Sequence, residues 1–176
     1  MDFENVMIDL ETMGRRPGCS ILSIGAVAFD GDLGLGPEFD VVVNRESCKS
    51  YGLHEDSETL DWWSKQTPKA SKILHVATYR GATLPNALKQ LGDYLTQFDP
   101  NKVRVWGNGS DFDNAILAVA YAECRLPLPW QFYNNRCYRT LKSLKPQVKL
   151  NRVGTYHNAL DDAKSQALHA IELMRA

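Results

Sequence analysis

Three short apolar segments near the amino terminus constrain the fold of this chain more than any other feature. Residues 6–11 begin as an apolar run, and similar runs follow at residues 21–29 and 39–43. The stretch between the second and third runs, residues 30–37, is rich in glycine and acidic residues, which is typical of a hairpin connection. The pattern therefore predicts an antiparallel meander of three strands.

The remainder of the chain alternates helical and strand patterns. The clearest helix is predicted over residues 83–98, where leucines recur at helical spacing. Further helices are predicted at residues 57–66, 112–124 and 158–175, and strands at residues 103–106 and 135–139. Leu60 and Trp63 are expected to face inward on the first of these helices, and Met174 on the last. This order predicts an α/β fold, a ribonuclease H-like mixed sheet that is antiparallel in its first three strands, then parallel, and flanked by helices.

Composition limits the class of protein. The 176 residues, 44% hydrophobic and 23% charged, predict one domain over residues 1–176. No apolar run could span a bilayer, and the amino terminus lacks the pattern of a signal peptide, so a cytoplasmic location without membrane association is expected. The formal charge of −1 and the pI of about 6.4 argue against duplex nucleic-acid binding through the whole surface, because proteins that bind in this way are usually more basic. Any attraction to phosphate must be local.

Two carboxylates interrupt the first apolar strand. Because alternate side chains of a strand share a face, Asp9 and Glu11 project together, opposite Ile8 and Leu10. Two ionised carboxylates side by side repel each other and lose hydration unless a positive charge joins them. A divalent cation with oxygen ligands would supply that charge. The alternative is that Asp9 merely ends the strand and Glu11 is solvated.

Two further segments place acidic residues where a helix begins. In the first, a glycine turn after the strand at residues 103–106 leads to Asp111 and Asp113. Either could instead complement the helix dipole, and propensity does not choose between them. In the second, Asn158 is a plausible N-cap that gives Asp161 a capping role and leaves Asp162 unexplained. His157 precedes this helix beside the unexplained acid, so the sequence marks both as candidate functional residues.

Together the three segments resemble the three exonuclease motifs of the DEDDh, or DnaQ-like, superfamily. The motifs are Asp9-Leu10-Glu11, residues 108–113 and residues 157–162. They occur in the family's order and span nearly the whole chain. Residues 60–63 and the turn at residues 106–109 look most similar to the phage exodeoxyribonuclease branch (DexA type). The resemblance selects Asp113 and Asp162 and implies that Asp111 and Asp161 are dispensable for metal binding.

The resemblance also implies an activity and a set of residue roles. It implies 3′→5′ hydrolysis of single-stranded DNA, which releases nucleoside 5′-monophosphates, with two Mg²⁺ or Mn²⁺ ions about 3.5–4 Å apart. The four metal-binding carboxylates would be those of Asp9, Glu11, Asp113 and Asp162. His157 would take a proton from the attacking water. Four residues would bind the terminal nucleotide, namely Leu10, Thr12, Met13 and Phe112.

Several alternatives stay open at this point. The same chemistry on RNA would resemble oligoribonuclease or ribonuclease T, and recognition of the 2′-OH decides between the polymers. A catalytically silent module that binds nucleic-acid ends is a second alternative, and the presence of all five motif residues argues against it. An endonuclease or integrase-like relative is disfavoured by the His157-to-Asp162 spacing. The partner is therefore expected to be nucleic acid with a free 3′ end, with a homodimer as an allowed assembly.

Two groups of side chains have open roles. Trp62 and Trp63 could stack on a base or pack in the core. A basic cluster of Arg139, Lys142 and Lys145 could contact phosphates or be solvated.

Overall fold

The sheet forms the centre of the protein. The computed structural model describes residues 3–176, apart from the side chains of residues 69 and 70. The strands of the sheet are β1 (Asn5–Thr12), β2 (Ile21–Asp30), β3 (Gly34–Val42), β4 (Arg104–Gly107) and β5 (Asn135–Cys137). Their order across the sheet is β3-β2-β1-β4-β5. The pairs β1–β2 and β2–β3 are antiparallel, whereas β1–β4 and β4–β5 are parallel. The predicted mixed sheet is confirmed.

The hairpin between β2 and β3 is tighter than the sequence predicts. Strand β3 begins at Gly34 rather than at residue 39. The Asp30 carboxylate accepts hydrogen bonds from the backbone N–H groups of Asp32 and Leu33, and so closes the turn within a few residues. The segment that follows, which begins at Gly34, is therefore available to pair with β2.

Helices cover both faces of this sheet. They are α1 (Arg45–Ser50), α2 (Ser57–Ser64), α3 (Pro68–Tyr79), α4 (Leu84–Leu95), α5 (Ala115–Glu123), α6 (Tyr138–Leu144) and α7 (Ala159–Arg175). A π-helical turn (Ser110–Asn114) precedes α5, and a 3₁₀ turn (Phe132–Asn134) precedes β5. The sequence did not predict α1, α3 or α6, and α6 begins at Tyr138, inside the strand predicted over residues 135–139. The six residues of α1 are too few to show a helical period, and α3 has only a short apolar stripe. No helix in residues 3–176 is long and apolar enough to cross a membrane.

The two faces of the sheet pack against different helices. One core joins Ile8 and Leu10 of β1 to the leucines of α4 and to α5. The other joins Met7 of β1 to the alanines of α7. The leucine stripe predicted over residues 83–98 is buried as expected. Two inward-facing predictions were wrong. Leu60 is 44% exposed and Met174 is 45% exposed, because Trp63 fills the interior beneath α2 and Leu173 takes the inward position near the end of α7.

Gly25 determines how closely α7 approaches the sheet. A Cβ atom added at Gly25 would lie 2.2 Å from the backbone atoms of Ala159 and Leu160. Only a residue without a side chain allows this contact between β2 and the first turn of α7. Gly25 is also the register partner of Asp9 on β1. The start of α7 therefore lies beside the strand that carries the first acidic motif.

Candidate active site

Strand β1 presents its two carboxylates toward α7. Met7, on the same face of the strand as Asp9 and Glu11, packs with the alanines of α7. Ile8 and Leu10 point into the opposite core. Glu11 is only 7% exposed. As the alternation of side chains predicts, the two acids lie side by side at the end of a buried strand.

The turn after β4 adds a third carboxylate. Asp113 is 2% exposed, and its Oδ1 accepts a hydrogen bond of 3.3 Å from the backbone N–H of Leu10. Its Oδ2 is buried and has no hydrogen-bond partner among the described residues. A Cβ atom at Gly107 would lie 2.9 Å from that oxygen, so a glycine is needed where β4 ends. Asp111, the other candidate acid of this segment, is exposed.

The start of α7 supplies the fourth carboxylate. The Asn158 side chain caps the helix by accepting a 3.0 Å hydrogen bond from the backbone N–H of Asp161. The Asp161 carboxylate turns away from the cluster and accepts a 2.7 Å bond from the Thr155 N–H. Asp162 is 6% exposed; its Oδ2 accepts from the His157 N–H at 3.0 Å and its Oδ1 from Arg152 Nη1 at 2.6 Å.

The structure brings the predicted metal and proton-transfer residues together around Asp9. Ligand atoms of Glu11, His157 and Asp162 all lie within 4.8 Å of one another. A cavity of about 180 Å³ is lined by these three residues together with Asp9. A second cavity, of about 140 Å³, is lined by Asp9 and Asp113. Asp9 borders both cavities and so lies between the two groups of carboxylates.

Arg152 and Arg139 offset only part of the negative charge of the carboxylates. Burial, and then the charges of Asp113, Glu11 and Asp162, raise the pKa of Asp9 well above its ordinary value. Burial and the neighbouring acids raise the pKa of Glu11 from 4.5 to about 8. Burial raises the pKa of Asp113 to about 7, against opposing backbone hydrogen bonds. Burial also raises the pKa of Asp162, although Arg152 opposes the shift. The cluster is therefore poised to bind cations.

The residues present fit a hard divalent cation. Carboxylate oxygens are the ligands that Mg²⁺ and Mn²⁺ prefer. The buried Asp113 Oδ2 has no donor in the described part of the protein, and a cation would satisfy it. The geometry is that of an acidic site able to hold a metal ion.

Aromatic side chains position His157. Its ring lies 3.7 Å from the Tyr156 ring centroid at an interplanar angle of 35°, and it meets Trp62 edge-to-face at 4.9 Å. The backbone of His157 has a φ of 61°, in the left-handed region. Burial lowers the pKa of His157, although Asp162 opposes the shift. The neutral imidazole, which can accept a proton, is thereby favoured.

A larger cavity adjoins the carboxylates. It has a volume of about 580 Å³, and Leu10, Thr12, Phe112 and Trp62 belong to its wall. Met13 is fully buried in a small core with Leu22 and Trp63, so its side chain supports this wall from behind. Trp63 is 1% exposed, and its indole N–H donates to the Thr12 carbonyl at 3.0 Å. Trp62 is 41% exposed and can meet a ligand.

The basic cluster proposed from the sequence disperses in the structure. Arg139 donates to the Asn108 carbonyl at 2.7 Å and belongs to the same cavity as Asp113. Lys142 instead lies 5.3 Å from the Tyr138 ring centroid, and Lys145 donates to the Leu173 carbonyl near the end of α7. Of these three cations, Arg139 is the one directed at the site.

Sequence reasoning missed two polar residues of the site. The Gln166 amide is 5% exposed and donates a 2.7 Å hydrogen bond to Asp9 Oδ1. Its position four residues after Asp162 on a helix is a signal that could have revealed it. Arg152, which pairs with Asp162, comes from a segment without periodicity, and no local signal marks it.

The sheet order and the convergent acids define the class of protein: the chain has the fold of the DEDDh exonucleases. The nuclease domain of 3′hExo, a DEDDh family member bound to rAMP, superposes with a TM-score of 0.66 and 18% identity, covering 99% of this chain and 94% of that domain. Pop2p of S. pombe, in its Mg²⁺- and Mn²⁺-bound form, superposes with a TM-score of 0.66 and 15% identity, covering 97% of this chain and 82% of Pop2p.

The family is narrower than this class. Residues 4–174 match the model of the 3′-5′ exoribonuclease Rv2179c-like domain, and the chain belongs to that family. It is also 30% identical over 121 residues to the exodeoxyribonuclease of Enterobacteria phage T4, across 63% of this chain and 52% of the phage protein. The aligned part thus spans about half the length of that relative. The predicted resemblance to the DEDDh superfamily is confirmed.

Proposed function

We propose that the protein is a metal-dependent 3′→5′ exonuclease that hydrolyses the terminal phosphodiester bond of single-stranded nucleic acid. One observation carries this proposal: acids from three distant segments of the chain gather with His157 around Asp9. The family of exoribonuclease-like domains supports the same activity. The product is a nucleoside 5′-monophosphate.

Two divalent cations, Mg²⁺ or Mn²⁺, are the proposed cofactors. Asp9 lies in both small cavities and is suited to contact both ions. Glu11 and Asp162 would hold one ion with it, and Asp113 the other. When bound, such cations neutralise the charge that develops on the phosphoryl oxygens and on the leaving oxygen. The metal-bound form of the structural relative Pop2p supports this assignment.

His157 is the proposed general base. The oxygen of a water molecule attacks phosphorus, the bond from phosphorus to the 3′-oxygen of the penultimate nucleotide breaks, and His157 takes the proton that the water releases. The leaving 3′-oxygen takes up a proton from solvent. Burial holds the pKa of His157 below its ordinary value, so the imidazole is neutral and able to accept at neutral pH. Gln166 orients the Asp9 carboxylate through its hydrogen bond.

The larger cavity is the proposed site for the terminal nucleoside. Leu10, Thr12 and Phe112 form part of a wall that is continuous with the carboxylates, because Leu10 and Glu11 border both spaces. Trp62 offers an exposed aromatic face on which a base can stack. The cavity has a volume of about 580 Å³, which leaves room for a nucleoside.

Two polymers are candidates. Single-stranded DNA is the substrate that the sequence predicts, and the identity to a phage exodeoxyribonuclease supports it. RNA is the second candidate, because the family that matches residues 4–174 is described as exoribonuclease-like. The 2′-OH of the terminal sugar would decide between them.

The test uses three oligonucleotides of one sequence, each labelled at the 5′ end. One is DNA, one is RNA, and one is DNA with a single ribonucleotide at its 3′ end. With Mn²⁺ the protein should shorten at least one of them in single-nucleotide steps from the 3′ end, and EDTA should stop the reaction. The mixed oligonucleotide shows whether the terminal sugar alone sets the preference. Internal cuts, or no shortening of any strand by folded protein, would contradict the proposal.

A further inference from the structure

Arg152 places a positive charge inside the carboxylate cluster. Its Nη1 lies 2.6 Å from Asp162 Oδ1, and the Asp162 side chain is only 9% exposed. Arg152 also borders the cavity that contains Asp9, Glu11 and His157. A guanidinium beside these acids is expected to stabilise them, yet it contacts the Asp162 carboxylate, which the proposed function assigns to a cation.

On the basis of the proposed function, we propose that Arg152 competes with the divalent cation for Asp162. Once the cation has released it from Asp162, Arg152 binds the phosphate of the scissile bond and so acts as a substrate-binding residue. A guanidinium and a divalent cation that share one carboxylate oxygen repel each other. Cation binding at Asp162 therefore weakens the pair with Arg152. The released guanidinium then lies next to the place where a phosphate must enter.

The backbone next to Arg152 is anchored independently of its side chain. The Val153 N–H donates to Ser165 Oγ at 3.0 Å, and the Thr155 N–H donates to the Asp161 carboxylate at 2.7 Å. Both partners belong to α7. The segment is therefore held against the helix by its main chain, and the ion pair with Asp162 is not needed to hold it there.

The side chain of Arg152 is free to move between two partners. It is 45% exposed, and its guanidinium carbon lies 4.0 Å from the Tyr156 ring centroid. A rotation over this ring can carry the N–H groups from Asp162 toward the cavity without displacing the backbone. The planar guanidinium has five donors whose geometry matches phosphate oxygens. A polyanionic substrate that approaches four carboxylates needs such a group.

The first experiment measures Mn²⁺ affinity by calorimetry at pH 8 without nucleic acid. Arg152→Met keeps an unbranched apolar side chain in place of the arginine stem and removes the charge. We expect this variant to bind Mn²⁺ about fivefold more tightly than wild type, because the cation no longer has to displace a partly exposed ion pair. The control is Arg136→Met, because Arg136 bonds only to backbone carbonyls of Tyr133 and Asn135 among the described residues. An unchanged or weaker affinity in Arg152→Met would overturn the competition.

The second experiment measures binding of a nucleoside 5′-monophosphate in saturating Mn²⁺. Arg152→Met should bind it roughly tenfold more weakly, as expected for loss of a hydrogen bond to a charged group, and Arg152→Lys should retain part of the affinity. Equal affinity in wild type and Arg152→Met, or no binding to wild type, would overturn the phosphate contact. Arg152→Gln serves as a second neutral variant if the Met variant misfolds. Neither measurement requires turnover. A wild-type protein that fails to cleave strands would therefore refute the proposed function but not the role of Arg152.

Discussion

The candidate active site has two sides that are built differently: a strand wall formed by Asp9, Glu11 and Asp113, and a loop wall formed by His157 and Arg152. Asp9, Glu11 and Asp113 come from β1 and from the turn after β4, where the sheet and the backbone of Leu10 hold them. His157 and Arg152 come from the segment before α7, and stacked side chains position them. The contrast indicates that the sheet and the turn after β4 fix three of the four proposed metal ligands. The proposed proton acceptor and the proposed phosphate-binding group depend on side-chain contacts that can be changed separately.

The strand wall should show the largest combined effect of substitution, a loss of metal binding together with a loss of turnover. Asp113→Asn removes one negative charge from a buried ligand and should lower turnover by about 10²–10³-fold or more, with a matching loss of Mn²⁺ affinity. The control is Asp111→Asn, two residues earlier on the same turn and exposed. Initial rates and Mn²⁺ calorimetry check both variants. If Asp111→Asn is the damaging one, the assignment of the third ligand is wrong.

The loop wall should separate metal binding from turnover. His157→Ala should lose about 10²–10⁴-fold in turnover while Mn²⁺ still raises the melting temperature, because the imidazole acts as a base and not as a ligand. His75→Ala, at an exposed position of α3, is the matched control. The imidazole lies within 4.8 Å of ligand atoms of Glu11 and Asp162. Loss of Mn²⁺ stabilisation in His157→Ala would therefore assign His157 as a ligand instead.

The contact at Gly25 joins the two walls. Gly25→Ala forces α7 away from β2 and should lower the free energy of unfolding by about 1–3 kcal/mol, as overpacking does. Because Asp162 and Gln166 are on α7, Mn²⁺ affinity should fall as well. Gly31→Ala is the control, since a Cβ atom there meets nothing within 4 Å. Denaturant unfolding measures the first effect, and equal stability of the two variants would contradict the role of Gly25.

The stability of the protein should also depend on pH. The pKa of Glu11 is raised to about 8 and that of Asp113 to about 7, so the folded protein binds more protons than the unfolded chain. The free energy of unfolding in EDTA should therefore fall as pH rises from about 4.5 to about 8. Mn²⁺ should raise the melting temperature more at pH 8 than at pH 5. Glu11→Gln should flatten the slope, whereas the exposed Glu123→Gln should leave it as in wild type. A flat wild-type profile would contradict the electrostatic account.

The sequence predicts much of this architecture for physical reasons. Alternating side chains and helical leucine stripes mark the strands and α4, because burial imposes a period on the sequence. The short helix α1 carries too few residues to show one. Gly25 could not be identified, because nothing near it in sequence reveals that α7 packs against it.

The candidate site was less accessible to local reasoning. Each acidic motif had a structural alternative, and only their joint resemblance to one family selected Asp113 and Asp162. Arg152 stayed hidden because a segment without periodicity carries it to Asp162. The roles of the site residues, a single domain over residues 1–176, the cytoplasmic location and the homodimer stay predictions.

Anomalous scattering from crystals soaked in Mn²⁺ tests the central claim most directly. The account predicts two manganese peaks about 4 Å apart, bounded by the carboxylates of Asp9, Glu11, Asp113 and Asp162. Peaks at other positions, or no peak between these side chains at saturating Mn²⁺, would contradict it.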